Sequence, residues 1–216
     1  GAAGGKSAVP IRVSTDLRFA RVVAGYYQTC GLDTDGRAYC WGQNDEGQIG
    51  DGTMEQRSTP VTVSGDHRFS DLDTGDRFVC GVENGAVWCW GINRWGELGE
   101  GGSSPTPKRV ETPGSSRVAT SMGSSTIRAL QPFACAVTGT EIGCWGGAVR
   151  ALRSPGSPAF SILAGAPRPR AVAVGASQVC ILDPSGYAWC GGGNFAGQLG
   201  DGTRTDRATL TAVTSP

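Results

Sequence analysis

The chain has 216 residues and no formal net charge, since 19 Lys and Arg residues balance 19 Asp and Glu residues. This balance argues against a nucleic-acid-binding domain, which normally carries a basic surplus on one face. With 38% hydrophobic and 18% charged residues, the chain is too apolar to be disordered. No apolar run approaches the ~20 residues of a membrane-spanning helix. The 35 glycines and 12 prolines favour short strands joined by tight turns, and so predict an all-β fold.

The N-terminal residues are the first element in chain order. Gly1 to Gly5 lack the basic and apolar regions of a signal peptide, and we interpret them as a mature end left after cleavage or as a cloning remnant. Residues 1–9 are predicted to form a flexible segment, and residues 10–216 a single domain. Pro10 to Val13 has the P-x-x-V pattern of a strand, so a strand is expected before the first repeat.

Four similar units follow in the chain. Each contains two close cysteines, and the first cysteine recurs at positions 30, 80, 135 and 180. One strand-like stretch precedes each cysteine pair, and a loop and another strand-like stretch follow it. Four short strands in a repeat of ~50 residues are typical of β-propeller blades. The sequence therefore predicts a propeller of four four-stranded blades, at about residues 18–64, 68–111, 117–163 and 170–213.

Turn residues between the paired cysteines predict the register of each hairpin. Asn84-Gly85 favours a two-residue type I′ turn, which places Cys80 opposite Cys89. In the other three units, the turn residues likewise place the two cysteines opposite each other; these turns are Thr34-Asp35-Gly36, Gly139-Thr140 and Pro184-Ser185-Gly186. Opposed cross-strand residues lie close enough for a disulfide bond. We therefore predict one disulfide per blade: Cys30–Cys40, Cys80–Cys89, Cys135–Cys144 and Cys180–Cys190.

The disulfides and the residues beside them carry two further expectations. Disulfides persist in oxidising compartments, so we expect export to the periplasm or the extracellular space. Trp41, Trp90 and Trp145 each follow the second cysteine and point to the opposite face of the sheet. We interpret them as residues that pack between blades, and carbohydrate stacking is the less favoured alternative.

The first repeat carries a family resemblance. The stretch from Cys30 to Thr53, CGLDTDGRAYCWGQNDEGQIGDGT, resembles the regulator of chromosome condensation repeat. Residues 81–99 and 181–203 match much of the same pattern, and the disulfides are similar to those of exported bacterial members. The resemblance implies a β-propeller with four-stranded blades, and it implies no single function.

The sequence departs from the family pattern in three ways. The third unit lacks the N-x-x-G-x-L-G loop after Cys144-Trp145-Gly146, and the fourth has Gly191 to Gly193 where a tryptophan is expected. Family propellers typically close with seven blades, whereas four are predicted here. The chain therefore forms either a small closed ring or an open, partial propeller that a partner completes.

Residues with catalytic chemistry are few. The one histidine, His67, is predicted to be a solvated residue of the linker between two blades. Asp51, Glu100 and Asp201 occupy the same repeat position, so we assign them to turn formation. Asp33-Thr34-Asp35-Gly36 lacks the later ligands of a calcium loop and is predicted to be a hairpin turn. No metal site, cofactor or catalytic residue is predicted, and no phosphate-binding glycine motif is present.

Loops that differ between repeats are the candidate binding surface, because such loops specialise on a fixed frame. Large aromatic and arginine side chains, which are typical of interface hot spots, fall in these loops. Tyr26-Tyr27 and Arg77-Phe78 are predicted to occupy the equivalent turn before the first cysteine of their units, and the alternative is that one residue of each pair packs between blades. The irregular stretch from Ala148 to Ala166 is either a docking segment or a decayed repeat. The candidate binding residues, all on one rim, are Asn93, Arg94, Trp95, Phe195, Tyr26, Tyr27, Arg77 and Phe78.

These features predict an exported, non-enzymatic propeller that binds another protein or protein complex and binds no nucleic acid. A docking or accessory subunit, held on the outer face of a membrane-bound complex without spanning the membrane, fits its size and charge. The first alternative is a propeller-type inhibitor of a serine hydrolase such as a β-lactamase. A carbohydrate-cleaving enzyme would require two acids within ~5–10 Å of each other. Binding of a small ligand or glycan is the remaining alternative.

Overall fold

The computed structural model describes residues 8–13, 15–99, 101–111, 117–120, 133–138, 141–147, 161–163 and 167–214. These residues form sixteen β-strands and no helix, as an all-β prediction requires. The strands are β1 Phe19–Ala24, β2 Gln28–Asp33, β3 Ala38–Gly42, β4 Arg57–Thr62, β5 Asp71–Thr74, β6 Phe78–Glu83, β7 Ala86–Gly91, β8 Ser104–Val110, β9 Arg117–Thr120, β10 Phe133–Thr138, β11 Glu141–Gly146, β12 Ser161–Ile162, β13 Ala171–Val174, β14 Gln178–Leu182, β15 Ala188–Gly192 and β16 Arg207–Ala212.

Each run of four consecutive strands forms one antiparallel sheet, so the predicted four-bladed architecture is confirmed. We name the sheets blade 1 (β1–β4), blade 2 (β5–β8), blade 3 (β9–β12) and blade 4 (β13–β16). Blade 3 is the least regular, because its outer strand β12 has only two residues. This blade is also the one whose sequence lacks the family loop.

The hairpin registers place the cysteines of each pair directly opposite each other. All four predicted disulfides are present, with Cα–Cα separations of 4.1–4.2 Å. In blade 2 the turn at Asn84-Gly85 has φ values of 50° and 75°, as a type I′ turn requires. The predicted Gly139-Thr140 turn lies outside the described residues.

Neighbouring blades pack face to face. The rear face of each blade carries its disulfide and the apolar side chains that meet the next blade, whereas the front face meets the preceding blade. Between blades 1 and 2, Leu32 and Ile49 of the rear face pack with Leu72 and Trp90 of the front face. Burial of these side chains links the small sheets, because one blade cannot cover its own two faces.

The tryptophans of the Cys-Trp-Gly motif confirm their predicted packing role at the two interior positions. The Trp90 indole Nε1–H donates to the Gln48 carbonyl oxygen of blade 1 at 3.1 Å. The Trp145 indole donates in the same way to the Glu97 carbonyl of blade 2 at 2.8 Å. Trp41 lies half-buried on the front face of blade 1 and stacks on Phe19.

The four sheets form an open arc. Strands of blades 1 and 2, of blades 2 and 3, and of blades 3 and 4 are in contact. Strands of blades 1 and 4 make no extensive contact, so the described sheets do not close into a ring. The expected strand at Pro10 to Val13 is wrong, since these residues pair with no sheet of the described chain.

Candidate binding rim

Two kinds of connection lie at one end of blades 1, 2 and 4. The turn between the first and second strands adjoins the loop between the third and fourth strands, and one backbone hydrogen bond joins them. Gln43 N–H donates to the Tyr27 carbonyl at 3.0 Å, and Ile92 N–H donates to the Arg77 carbonyl at 2.9 Å. Gly193 N–H donates likewise to Ser177 in blade 4. We call this end the loop rim; its described parts are residues 25–28, 43–56, 75–78, 92–99, 101–103, 175–178 and 193–206.

One asparagine organises each long loop of the rim. In blade 1 the Asn44 side-chain oxygen accepts from Ile49 N–H at 2.9 Å, and its amide donates to the carbonyls of Thr53 and Glu55. Asn194 makes the corresponding bonds in blade 4. A fully buried, satisfied amide therefore fixes the loop, and the two residues that follow it are free to vary.

Asn93 holds the same structural position in blade 2. Its side-chain oxygen accepts from Leu98 N–H at 2.8 Å, and its amide donates to the Gly101 carbonyl at 2.6 Å. The sequence places Asn93 among the candidate binding residues. Because both ends of its side chain are occupied within the loop, Asn93 positions the variable residues and does not itself present a free polar group.

The aspartate of the G-D-G-T turn stabilises the long loop in blades 1 and 4. Asp51 accepts from Arg57 Nε at 2.7 Å and from the Thr53 hydroxyl at 2.7 Å. Asp201 does the same with Arg207 and Thr203, and these bonds hold its pKa well below its usual range. The structural assignment of both aspartates is confirmed, whereas Glu100 lies outside the described residues.

Large aromatic side chains project from the loop rim into solvent. Trp95 of blade 2 is 52% exposed and Phe195 of blade 4 is 66% exposed. In blade 1, Tyr26 and Tyr27 are more than half exposed, and their rings meet edge to face with centroids 4.5 Å apart. Four of the predicted binding residues are therefore accessible at the same end of the molecule.

Charged side chains connect the rim of blade 1 with that of blade 2. Arg94 Nη2 lies 2.8 Å from the Glu46 carboxylate. Arg77 lies 3.6 Å from Asp45 and 3.8 Å from Glu46. Arg77 and Arg94 thus hold two loops together at the rim, and Trp95 stands beside this ion-pair network.

Phe78 is a correction to the predicted site. It is fully buried as the first residue of β6, within the cluster that joins blade 2 to blade 3. The strand register shows that Tyr26 and Tyr27 correspond to Asp76 and Arg77, so the pairing of Tyr26-Tyr27 with Arg77-Phe78 was displaced by one residue. Phe78 therefore packs between blades, which was the alternative considered for one member of each pair.

Glu97 is a rim residue that the sequence reasoning missed. Its side chain is fully buried, and its Oε2 accepts from Trp95 N–H at 2.8 Å. Burial raises the pKa of this carboxyl, and the nearby Asp76 charge adds to the effect. Oε1 has no hydrogen-bond partner among the described residues. An alignment of the repeats could have identified Glu97, because blades 1 and 4 have glutamine, Gln48 and Gln198, at the same position.

His67 corrects the prediction of a solvated linker residue. It lies at the opposite end from the loop rim, where its ring stacks on Phe69 and contacts Trp88. Its Nδ1 is 2.8 Å from the Glu83 carboxylate, and Glu83 also accepts from Arg68 N–H. Burial alone would raise the pKa of Glu83, but these hydrogen bonds outweigh it and lower the pKa.

Within the described ranges, no three His, Cys, Asp or Glu side chains assemble as metal ligands. No helix of the described chain has the length and apolarity needed to cross a bilayer. Most of the irregular stretch from Ala148 to Ala166, predicted to be either a docking segment or a decayed repeat, lies outside the residues that the structure describes.

Two family models with the same description match the chain. A model of the regulator of chromosome condensation (RCC1) repeat matches residues 35–82 and 84–125, and a second model of this repeat matches residues 19–48. The stretch 35–82 runs from the hairpin turn of blade 1 to the second strand of blade 2. The family repeat is therefore offset from the blade by two strands.

Solved structures of similar fold include three from human and yeast. Human WBSCR16 superimposes with a TM-score of 0.80 at 18% identity, over 94% of this chain. Yeast RCC1 (Prp20), crystallised with Kap60, gives 0.76 at 17% identity over 95%. Prp20p from Saccharomyces cerevisiae gives 0.74 at 17% identity over 95%. The matches cover 55%, 50% and 53% of those chains, so this chain spans about half their length.

The repeated blades, the matched repeat models and the propeller neighbours agree, and the four disulfides fit an oxidising compartment. Residues 19–82 and 84–125 are regulator of chromosome condensation (RCC1) repeats, and the described chain has the fold of the RCC1 propellers.

Proposed function

We propose that the chain is an exported, non-enzymatic module that binds another protein through its loop rim. The observation that carries this proposal is the set of exposed aromatic side chains on one end of the arc, namely Tyr26, Tyr27, Trp95 and Phe195. Exposed aromatic side chains of this size are enriched at protein interfaces and dominate their energetics.

The way in which the rim is built supports binding with little loss of conformational freedom. Trp95 follows the anchored Asn93, and its backbone N–H is held by Glu97. Phe195 directly follows the anchored Asn194, and the N–H of the next residue, Ala196, is held by Gln198. Large side chains on loops that are already ordered lose less entropy on association than those on mobile loops.

Export and the lack of catalysis rest on different observations. Four disulfides in a chain of this size support an oxidising compartment. Asp51 and Asp201, the acids that recur in the repeat, are each held by an arginine and a threonine within their own loop. Acids held in this way favour a structural role over general acid or base catalysis.

Similar structures also favour a protein partner. The yeast protein RCC1 (Prp20) was crystallised bound to Kap60, and Prp20p was studied for binding to Gsp1p and histones. These propellers bind other proteins, and we extend that general role to this chain. A docking or accessory subunit of a larger complex, held on the outer side of a membrane, is the specific role we propose.

The native mass of the protein in its source tests the proposal. Gentle release and size separation should give a mass several times that of one chain, and larger than that of two copies of the chain, if the protein is a subunit of a larger complex. The Trp95→Ser and Phe195→Ser variants should lose this association. Tyr187→Ser is the matched control, because Tyr187 is an exposed aromatic residue on the opposite end. Equal loss in all three variants, or a native mass unchanged by any of them, would contradict binding through the loop rim.

A second candidate is an inhibitor of an exported serine hydrolase such as a β-lactamase. It is favoured by the same placement of Tyr27 and Trp95 on one rim, from which they could enter an active-site cleft together. The test is enzyme inhibition, with Trp95→Ser as the comparison. Inhibition that is lost in this variant would favour the inhibitor role, and no inhibition across a panel of hydrolases would reject it.

A further inference from the structure

The two ends of the arc each expose half of a blade–blade interface. Blade 1 has no described blade before its front face, and blade 4 has none behind its rear face. Within the arc these two kinds of face meet each other three times. The end faces can therefore be compared, residue by residue, with the interface between blades 1 and 2.

The apolar side chains of the end faces correspond to buried ones inside the arc. On the front face, Leu72 of blade 2 is fully buried, whereas its counterpart in blade 1, Val22, is 54% exposed. On the rear face, Leu32 of blade 1 is buried, whereas its counterpart in blade 4, Leu182, is 42% exposed. Val213 of blade 4 is 40% exposed at the position of the buried Val63. Both end faces thus expose side chains whose equivalents form a core.

The polar groups of the end faces also correspond to groups that are hydrogen-bonded to each other between blades 1 and 2. The indole of Trp41 matches that of Trp90, which donates to the Gln48 carbonyl. The Trp41 indole N–H has no acceptor among the described residues, and the Gln198 carbonyl, which matches that of Gln48, has no side-chain donor there. One end face therefore lacks the acceptor that the other end face supplies.

A second polar pair is also complementary, but here the donor lies on the rear face and the acceptor on the front face. Gln28 of blade 1 reaches blade 2, where its Nε2 donates to Thr74 Oγ1 at 2.7 Å and to the Gly75 carbonyl at 3.1 Å. Its counterpart in blade 4, Gln178, uses its side-chain oxygen locally. The Nε2 group of Gln178 has no acceptor within the described chain, and the Gly25 carbonyl of blade 1 is the equivalent of the Gly75 carbonyl.

We propose that two copies of this chain assemble head to tail, with the front face of blade 1 in each copy covered by the rear face of blade 4 in the other. Val22 would pack with Leu182 of the second copy, and the Trp41 indole would donate to Gln198 of the second copy. A head-to-tail contact that repeats twice closes a ring of eight blades, within the size range known for propellers.

Two observations favour a second copy as the occupant. The end faces are complementary to each other in both apolar and polar groups, so one chain supplies both halves of the interface. The zero formal net charge means that two copies do not repel each other overall. The proposal is independent of the loop rim, which both copies would leave accessible.

Light-scattering mass measurement of the purified chain tests the assembly. The expected mass is twice that of a single chain at high protein concentration, falling to the single-chain mass on dilution. Val22→Asp should reduce the mass to that of a single chain, and Leu182→Arg should do the same. Met54→Asp is the matched control, since Met54 is a half-exposed apolar residue of a loop and lies in neither set of interface positions.

Mixing the two variants distinguishes the head-to-tail arrangement from other dimers. In the mixture one interface is wild type, and the other brings the introduced aspartate of one copy opposite the introduced arginine of the other, so the double mass should return. A dimer that only one of the two variants disrupts would be formed from like faces and would overturn the proposal. A single-chain mass for the wild type, or a mass of three or more copies, would also overturn it.

Discussion

One carboxyl group distinguishes the loop of blade 2 from those of blades 1 and 4. Gln48 and Gln198 each accept from a loop N–H and donate to a second residue of the rim. Glu97 keeps the first bond but has no N–H to donate, and its Oε1 is buried without a partner among the described residues. A buried ionised carboxylate with an unmade hydrogen bond opposes folding.

Replacing Glu97 by glutamine is expected to stabilise the protein at neutral pH. Burial raises the pKa of Glu97 above its ordinary value of 4.5, so the folded state holds the proton over a pH range in which the unfolded state has lost it. Stability therefore falls as pH rises through that range. Glu97→Gln should raise the free energy of unfolding by roughly 1–2 kcal/mol at pH 7 and by less at pH 4, as measured by urea denaturation.

The reverse exchange in blade 1 provides the control for this prediction. Gln48→Glu introduces a buried carboxyl at the same repeat position and should destabilise the protein at pH 7. If Glu97→Gln has the same effect at pH 4 and pH 7, ionisation of Glu97 is not the cause.

Glu83 is expected to show the opposite pH dependence. Its pKa is lowered by hydrogen bonds from His67 and Arg68 N–H despite partial burial, so its contribution is fully present above the ordinary value of 4.5. That contribution is lost as pH falls through the lowered pKa of the folded state. Glu83→Gln should therefore lower the free energy of unfolding by about 1 kcal/mol at pH 7 and by much less at pH 3. A loss that grows towards low pH would contradict this account.

Between elements, the Cys-Trp-Gly tryptophans provide an internally matched test of blade packing. Trp90 is fully buried and its indole N–H satisfies the Gln48 carbonyl, whereas Trp41 is half-buried and makes no such bond within the described chain. Trp90→Phe should lower the free energy of unfolding by about 2–3 kcal/mol, because it leaves a buried carbonyl without its donor and a void beside it. Trp41→Phe should change it by less than about 0.5 kcal/mol. Urea denaturation in the Val22→Asp background separates both effects from assembly, and equal losses would contradict the assigned role of the indole bond.

Hairpins were the elements most readily predicted, because their determinants are local. Asn84-Gly85 sets the turn, the turn sets the register, and the register places Cys80 opposite Cys89. Contacts between blades involve residues far apart in sequence, and a repeat whose length varies from unit to unit leaves their alignment uncertain by one position. This is why Phe78 was assigned to the rim although it corresponds to Gln28.

The candidate site shows the same division between local and distant determinants. Exposed loop aromatics such as Trp95 could be identified from differences between repeats. The buried state of Glu97 and the stacking of His67 on Phe69 depend on chain segments that meet only in the folded molecule. Turn and repeat patterns carry no direct signal for these contacts.

For the whole molecule, stability should vary along the arc because each blade contacts only its neighbours. Blade 2 has both faces covered, by blade 1 in front and blade 3 behind. Blade 1 has a covered rear face but an uncovered front face, where Val22 is exposed. In an array of this kind the stability of a unit is its own plus that of its interfaces, so terminal units open more often than interior ones.

Amide hydrogen exchange of the Val22→Asp variant, which is expected to be a single chain, should show this gradient. Strands β6 and β7 should exchange more slowly than β2 and β3, although both hairpins are paired in the same register and closed by one disulfide. The matched disulfides remove local loop closure as an explanation, so a difference reports the second interface of blade 2. Equal protection in the two hairpins would mean that the arc unfolds as one cooperative unit. In the wild type at high concentration, the protection of β2 and β3 should rise towards that of β6 and β7, because the second copy would then cover the front face of blade 1.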